Sequence, residues 1–199
     1  MRTVGVLLFP EFELLDVFGP LEVFGSRLVA HHLRVCTVAR EAGPVPSAQG
    51  PRAIADHGFD DCARLDVLLV PGGRGTRREV DDPRLARWLA ATSNLAEIVA
   101  SVCTGAALLA RAGVLDDRRA TTNKLSFDWV VTQGPHVDWV RKARWVEDGK
   151  LFTSSGVSAG IDMSLRLLEH LIDTETAAKV AQVMEYRRHT DPHDDPFAR

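Results

Sequence analysis

The chain has 199 residues and a mass of 21.8 kDa, with 45% of the residues hydrophobic, a formal net charge of −3 and a pI near 6.2. That length can bury one substantial core and suits one domain spanning residues 1–199 better than two. Scattered Lys and Arg residues leave no basic footprint for nucleic acid, no apolar stretch approaches the roughly 20 residues that span a bilayer, and no charged-then-apolar leader opens the chain, so we expect a soluble, cytoplasmic protein without nucleic-acid or membrane partners.

In chain order, strands alternate with helices, which is the pattern of a parallel sheet covered on both faces. Val4 to Phe9 (VGVLLF) is a continuous apolar run stopped by Pro10, as in a strand buried on both sides. Leu14 to Val29 carries Leu14, Leu15, Phe18, Leu21 and Phe24 at helical spacing. Leu33 to Ala39 reads as a second strand, and Asp66 to Val70 as a third that runs into Pro71-Gly72-Gly73. Asp82-Pro83 opens a helix containing Leu85, Trp88 and Leu89, with Asp82 as its cap. Glu97 to Val102 is the next strand, followed by a helix from Gly105 to Arg111 closed by Gly113. Asp148-Gly149 lies between two short alternating segments and predicts a small hairpin near 143–154. Ala159 to Ile172 and Thr174 to Arg187 are amphipathic helices, and residues 188–199 read as an extended, solvated tail. The fold class expected is α/β, a flavodoxin-like three-layer sandwich.

Cys103, within SVCTGAALL, stands at the carboxyl end of a buried strand and directly before a helix, where open α/β sheets bind ligands. Gly105 and Ala106 leave room for a sharp turn that exposes one side chain, as in the nucleophile elbows of hydrolases. The N–H groups at a helix start favour thiolate over thiol, which predicts a lowered pKa and a nucleophile. Cysteine at a strand end is nonetheless most often core filling, and that reading applies to Cys36 in LRVCTVA and to Cys62. The three cysteines contain no C-x-x-C pair, so neither a disulfide framework nor a zinc site is suggested. His189 and His193, close to Asp191, Asp194 and Asp195, are better read as tail polarity than as metal ligands. No metal or cofactor is expected.

Four ordered motifs, VGVLLFPEFELLDVFGPLEVF, DVLLVPGG, SVCTGAALLARAGVLDDRRATT and SSGVSAGIDMSLRLLEHL, cover most of the chain and resemble the DJ-1/PfpI superfamily, a class I glutamine amidotransferase-like group. LLDVFGPLEVF, the Cys-Thr pair and GVSAGID are most similar to its isonitrile hydratase branch. The resemblance implies Cys103 as nucleophile on a strained elbow and a homodimer. It also implies that Asp16, four residues before Pro20, is the acid-base partner of the sulfur. The apolar neighbours Leu14, Leu15, Val17 and Phe18 independently favour a buried Asp16 with a purpose. Gly72 and Gly73 can bring backbone N–H groups toward the cleft, and the amides of Gly73 and Thr104 are expected to form an oxyanion hole.

Where hydrolase-like branches of the superfamily commonly carry a histidine after Ala-Thr-Thr, this chain has Asn123, which can orient or donate but cannot take a proton near neutral pH. A base for acyl-enzyme hydrolysis is therefore missing, and peptidase activity is not expected. The expected function is cysteine-dependent hydration of a small isonitrile to an N-substituted formamide, with Cys103 attacking carbon, Asp16 moving the proton and Thr104 positioning water. The alternatives are a glyoxalase- or hydrolase-like enzyme, or a non-catalytic domain that senses a small molecule.

Overall fold

The computed structural model describes residues 1–198. Strand β1 (Arg2–Leu7) is followed by helix α1 (Leu14–Phe24), β2 (Leu33–Val38) and a two-stranded antiparallel ribbon, β3 (Gly43–Pro46) with β4 (Arg52–Ala55). Next come β5 (Val67–Val70), the short helix α2 (Thr76–Glu79), α3 (Pro83–Leu95), β6 (Ile98–Ser101) and α4 (Gly105–Arg111). Then follow β7 (Arg119–Ala120), α5 (Phe127–Val131) and β8 (Asp138–Trp139), with β7 paired to β8. The hairpin β9 (Trp145–Asp148) and β10 (Leu151–Ser154) leads to α6 (Ala159–Leu171) and α7 (Thr174–Val183).

The main sheet has the order β2-β1-β5-β6-β10-β9, parallel except for the antiparallel pair β10–β9. From β1 the chain first steps outward to β2, then crosses back to β5 and proceeds the other way. Right-handed crossovers therefore put α1 and α3 on opposite faces. Helix α6 packs on both α1 and α7, and α4 packs with α2, α3 and α5, giving the expected sandwich. The hairpin expected near 143–154 is present, but it is no separate ribbon: β10 pairs with β6 and makes the hairpin the edge of the main sheet.

Three expectations need correction. The first helix ends at Phe24 rather than Val29, because the Gly25 N–H closes onto Leu21 O and Ser26 then caps a separate 3-10 turn, Arg27–Val29. The last helix ends at Val183, since Glu185 takes a left-handed φ of 49° that turns Tyr186 back toward the body. The third concerns the tail. Residues 188–198 form neither helix nor strand, yet they are anchored: the Arg144 N–H donates to Pro192 O (2.7 Å), the His189 N–H donates to Asp162 Oδ1 (2.9 Å), and Asp195 is buried.

Asp162 is the hub of that anchorage. Its carboxylate is fully buried and accepts Arg144 Nε (2.8 Å) and Nη2 (2.6 Å) together with the Tyr186 hydroxyl (3.0 Å). Removing one partner of a buried pair leaves the other charge uncompensated. Asp162→Ala is expected to cost about 3–5 kcal/mol of stability in urea unfolding, whereas truncation of the exposed pair partner Glu175, on Lys179, is expected to cost under about 1 kcal/mol.

Candidate active site

The site is built where β5 and β6 end. β6 delivers Cys103 into a turn with φ 56°, a left-handed conformation that is uncommon without glycine. The turn is held from both sides of the peptide: the Cys103 N–H donates to Ser155 O (3.2 Å), and Thr122 Oγ1 donates to Cys103 O (2.7 Å). Gly105 is required behind it, since a Cβ there would stand 2.2 Å from Val70 O. The side chain of Cys103 is buried, with 7% exposure.

Asp16 on α1 reaches the same point from the other side of the sheet's switch between β1 and β5. It is fully buried and its Oδ2 accepts the Gly72 N–H (2.8 Å). Its Oδ1 is buried without a partner at hydrogen-bond length among the described residues, and the Cys103 thiol acts on the carboxyl only as a weak donor. Gly72 permits this convergence. A Cβ on it would lie 2.6 Å from both Thr104 N and Thr104 Oγ1, and 2.9 Å from Asp16 Oδ2.

The electrostatics depart from the expected thiolate. Burial pushes the Asp16 carboxyl up to about 7; the Gly72 N–H opposes this, Glu13 adds to it and the Cys103 thiol lowers it. Burial also pushes the Cys103 thiol well above its ordinary range, and the neighbouring Asp16 adds to the rise. The N–H groups of Thr104 and Val157 favour the charged sulfur but do not outweigh desolvation. At neutral pH the resting pair is thus a protonated thiol beside a carboxyl near its titration point. Cys36 is likewise raised by burial, to about 11, and Cys62 is raised for the same reason.

The backbone donors also differ from expectation. The Gly73 N–H is spent on Thr104 Oγ1 (3.1 Å), and the Gly72 N–H on Asp16, so neither glycine amide is left for an oxyanion. The Thr104 hydroxyl is tied into the same loop by Thr76 Oγ1 (3.2 Å), which leaves its backbone amide, rather than its side chain, facing the sulfur. Asn123 Oδ1 accepts the Ser126 N–H (2.9 Å), and its amide nitrogen packs where a Gly156 side chain would be, so Asn123 supports the loop instead of entering the cleft. The donor that sequence reasoning missed is Val157, whose amide is aimed by a left-handed φ of 43°. The signal in the sequence is the SSGVSAGID motif, whose loop supplies that amide. Among the described residues no cluster of His, Cys, Asp or Glu is placed to hold a metal ion.

The DJ-1/PfpI family matches residues 2–170. The chain is 37% identical over 183 residues to the isonitrile hydratase of Pseudomonas putida, covering 92% of this chain and 78% of that protein. It is 28% identical over 178 residues to the HTH-type transcriptional regulator CdhR of Pseudomonas aeruginosa, covering 88% of this chain but 52% of the regulator. Among solved structures, a ThiJ/PfpI family protein from Pseudomonas syringae superposes with a TM-score of 0.86 at 29% identity, over 94% of this chain and 76% of that one.

The buried carboxyl predicts a specific pH response of stability. Asp16 has an ordinary pKa of 3.8 and a folded value near 7, so the folded state holds the extra proton between those values and stability falls as pH rises across that window. Asp16→Asn keeps the shape and loses the titration. Thermal unfolding from about pH 4 to about pH 8 is expected to show the variant gaining on the parent as pH rises; parallel curves would mean that the carboxyl is not desolvated.

Proposed function

We propose that this chain, which belongs to the DJ-1/PfpI family, is a cysteine-dependent enzyme that hydrates small isonitriles to N-substituted formamides. The observation that carries the reading is a buried carboxyl, poised near neutrality and with one unpartnered oxygen, set against a cysteine sulfur. Asn123 is spent on Ser126 and supplies no base, so proton transfer falls to Asp16. The 37% identity to a hydratase supports the same reaction class.

The chemistry follows from the resting protonation state. An isonitrile carbon accepts a proton and then a nucleophile at the same atom. Asp16 as carboxylate takes the Cys103 thiol proton and delivers it to that carbon while sulfur bonds to it, giving a thioimidate, R–N=CH–S. Water adds across the C=N bond, its proton passing to nitrogen with Asp16 as relay. Collapse of the adduct forms the formyl C=O, breaks the C–S bond and returns the thiol proton. The sum is R–NC plus water to R–NH–CHO. The amides of Thr104 and Val157 stabilise negative charge that develops on sulfur as the bond forms and breaks. The hydroxyl of Thr104 serves by holding the Pro71-Gly72-Gly73 loop against Asp16.

A sensing role is the second reading, favoured by the match to a regulator of which this chain covers 52%. A glyoxalase-like reaction would use the same sulfur on a small carbonyl. The reaction runs in one proposed domain built on one core cluster, in a reducing compartment consistent with three free cysteines. No helix among the described residues is long and apolar enough to cross a membrane.

Two outcomes are expected. Offered cyclohexyl isonitrile and methylglyoxal side by side, the protein forms the formamide; lactate alone would move it to the glyoxalase class, and neither product would favour the sensor. Because Asp16 must be ionised to take the thiol proton, kcat/KM rises with pH through about 7, and Asp16→Asn lowers it roughly 10²–10⁴-fold with a flattened profile. The protein is also proposed to be a homodimer. Leu15 (41% exposed) and Phe18 (47%), one turn apart on α1, offer it an apolar contact. Light scattering at micromolar concentration is expected to give twice 21.8 kDa; a clean monomer would count against pairing.

A further inference from the structure

Thr76, the first residue of α2, takes no part in the reaction scheme, yet its side chain is fully buried against the loop that carries Gly72 and Gly73. Its hydroxyl stands 2.7 Å from Gly73 O and 3.2 Å from Thr104 Oγ1, across 28 residues of sequence. Thr104 is buried as well, and its Oγ1 accepts the Gly73 N–H (3.1 Å). Gly73, Thr104 and Thr76 thus meet in one buried cluster next to Cys103, which Thr104 follows directly in the chain.

A hydroxyl has one proton to give and two lone pairs with which to receive. The Thr76 proton goes to Gly73 O, the nearer acceptor, at the usual separation of an O–H···O bond. That leaves Thr104 as the donor across the 3.2 Å contact between the two hydroxyls, and its other acceptor within reach, Gly73 O at 3.4 Å, belongs to the same loop. The Gly73 N–H, the Thr104 hydroxyl, the Thr76 hydroxyl and the Gly73 C=O therefore form a closed ring, each member donating to the next. Both hydroxyl protons are consumed inside it, and bonds in such a chain polarise and strengthen one another.

The ring acts on Asp16 through one peptide plane. The peptide that joins Gly72 to Gly73 has its C=O held by the Glu13 N–H (2.9 Å), at the entrance to α1, and its N–H held by Thr104 Oγ1. With that plane fixed from both sides, the Gly72 N–H is directed at Asp16 Oδ2 (2.8 Å), and this bond opposes the rise that burial imposes on the carboxyl. Opening the ring at Thr76 takes one donor from the Gly73 carbonyl and frees the Thr104 hydroxyl to turn, which loosens the plane on its Thr104 side. The turn itself persists, since Gly73 O still accepts the backbone N–H of residue 76 (3.2 Å). What weakens is the Gly72 bond to Asp16.

We propose that Thr76 is a positioning residue of the site: it closes the hydrogen-bond ring that consumes the Thr104 hydroxyl proton and holds the Gly72 amide on Asp16. The Thr104 hydroxyl then has no proton to offer water or substrate, and orienting the water falls to the carboxyl. The inference deepens the hydratase reading and rests on Asp16 as its proton relay, while the ring itself is independent of the substrate. Thr76 stands three residues past the end of the DVLLVPGG motif, outside every stretch that points to the site in the sequence.

The test reads the carboxyl without requiring hydration. Full-length protein carrying carboxyl-labelled aspartate is titrated by NMR, with the Asp16 resonance identified by its loss in Asp16→Asn. The parent is expected to titrate at about 7. Thr76→Val keeps the shape and removes the donor, and is expected to move the midpoint up by roughly 0.5–1 pH unit, the worth of part of one hydrogen bond to a charged group. Thr76→Ser keeps the hydroxyl and is expected to titrate as the parent does. Glu13 and the Cys103 thiol, which also act on this carboxyl, are the same in all three proteins. A Thr76→Val protein that loses stability but keeps the parent midpoint, or a Thr76→Ser protein that shifts as far as Thr76→Val, overturns the proposal. Should Thr76→Val not fold, Thr76→Ala makes the same comparison without placing a methyl against Gly73 O. In the parent itself, the hydroxyl protons of Thr76 and Thr104 are expected to exchange slowly with water, and fast exchange of either overturns the ring. A protein whose Asp16 midpoint moves in Thr76→Val but which hydrates no isonitrile rejects the reaction and retains the positioning role. One that hydrates cyclohexyl isonitrile with the same pH profile in parent and Thr76→Val retains the reaction and rejects the positioning role.

Discussion

Everything at the site depends on holding Cys103 in a left-handed backbone conformation at the end of β6. A non-glycine residue there costs about 1–3 kcal/mol, and the conformation persists because both of its peptide groups are bound to fixed partners. Its N–H is held by Ser155 O, directly after β10, and its C=O by Thr122 Oγ1. β10 is parallel to β6 and in register with it, so Ser155 is presented beside Cys103 by the sheet itself. The edge hairpin is thus part of the geometry of the site: it fixes the strand that fixes the elbow.

The same compactness determines the protonation chemistry. A helix start next to a cysteine ordinarily promotes thiolate, but here the sulfur and the carboxyl are both removed from water and close to one another. Two adjacent buried anions are unfavourable, so both pKa values rise. Amide donors from Thr104 and Val157 reduce this penalty without reversing it. A site of this kind suits a reaction in which the thiol proton is transferred during attack rather than lost beforehand. It needs one relay group, and Asp16 has a free oxygen for that role.

The buried ion pair of Arg144 and Asp162 connects the stability of the fold to the shape of the site. Arg144 uses its side chain to anchor Tyr186 and His189 through Asp162, its N–H to anchor Pro192, and its C=O to hold Ser155. Segments far apart in sequence converge on one residue, which is why the tail is anchored to the body at His189 and Pro192. Lys124 and Asp195 repeat the arrangement farther along the tail. There burial lowers the lysine pKa to about 8, opposed by Asp195.

Much of the fold was legible in the chain because its signals are local. VGVLLF, DVLLV and EIVASV read as buried strands from their apolar runs, Asp82-Pro83 as a helix start from its capping chemistry, and Asp148-Gly149 as a hairpin turn. The candidate elbow was legible for the same reason: a cysteine followed by Gly and Ala at a strand end leaves room for a sharp turn. The ribbon β3–β4 was not, since Pro44 and Pro46 in a four-residue strand look like loop. Apolar spacing continues from Leu14 through Leu28 and predicts a longer first helix than forms, whereas one glycine, Gly25, ends it. What tertiary structure alone decided is which polar groups meet. Asp16 and Gly72 are 56 residues apart, Thr121 and Thr153 are 32 apart, and no periodicity records that the Gly73 amide is spent on Thr104 or that Val157 supplies a donor in its place. Nor does local chemistry predict the direction of the Cys103 pKa. A helix start is visible in seven residues, but desolvation is produced by the whole core closing over the sulfur, and here desolvation is the larger effect.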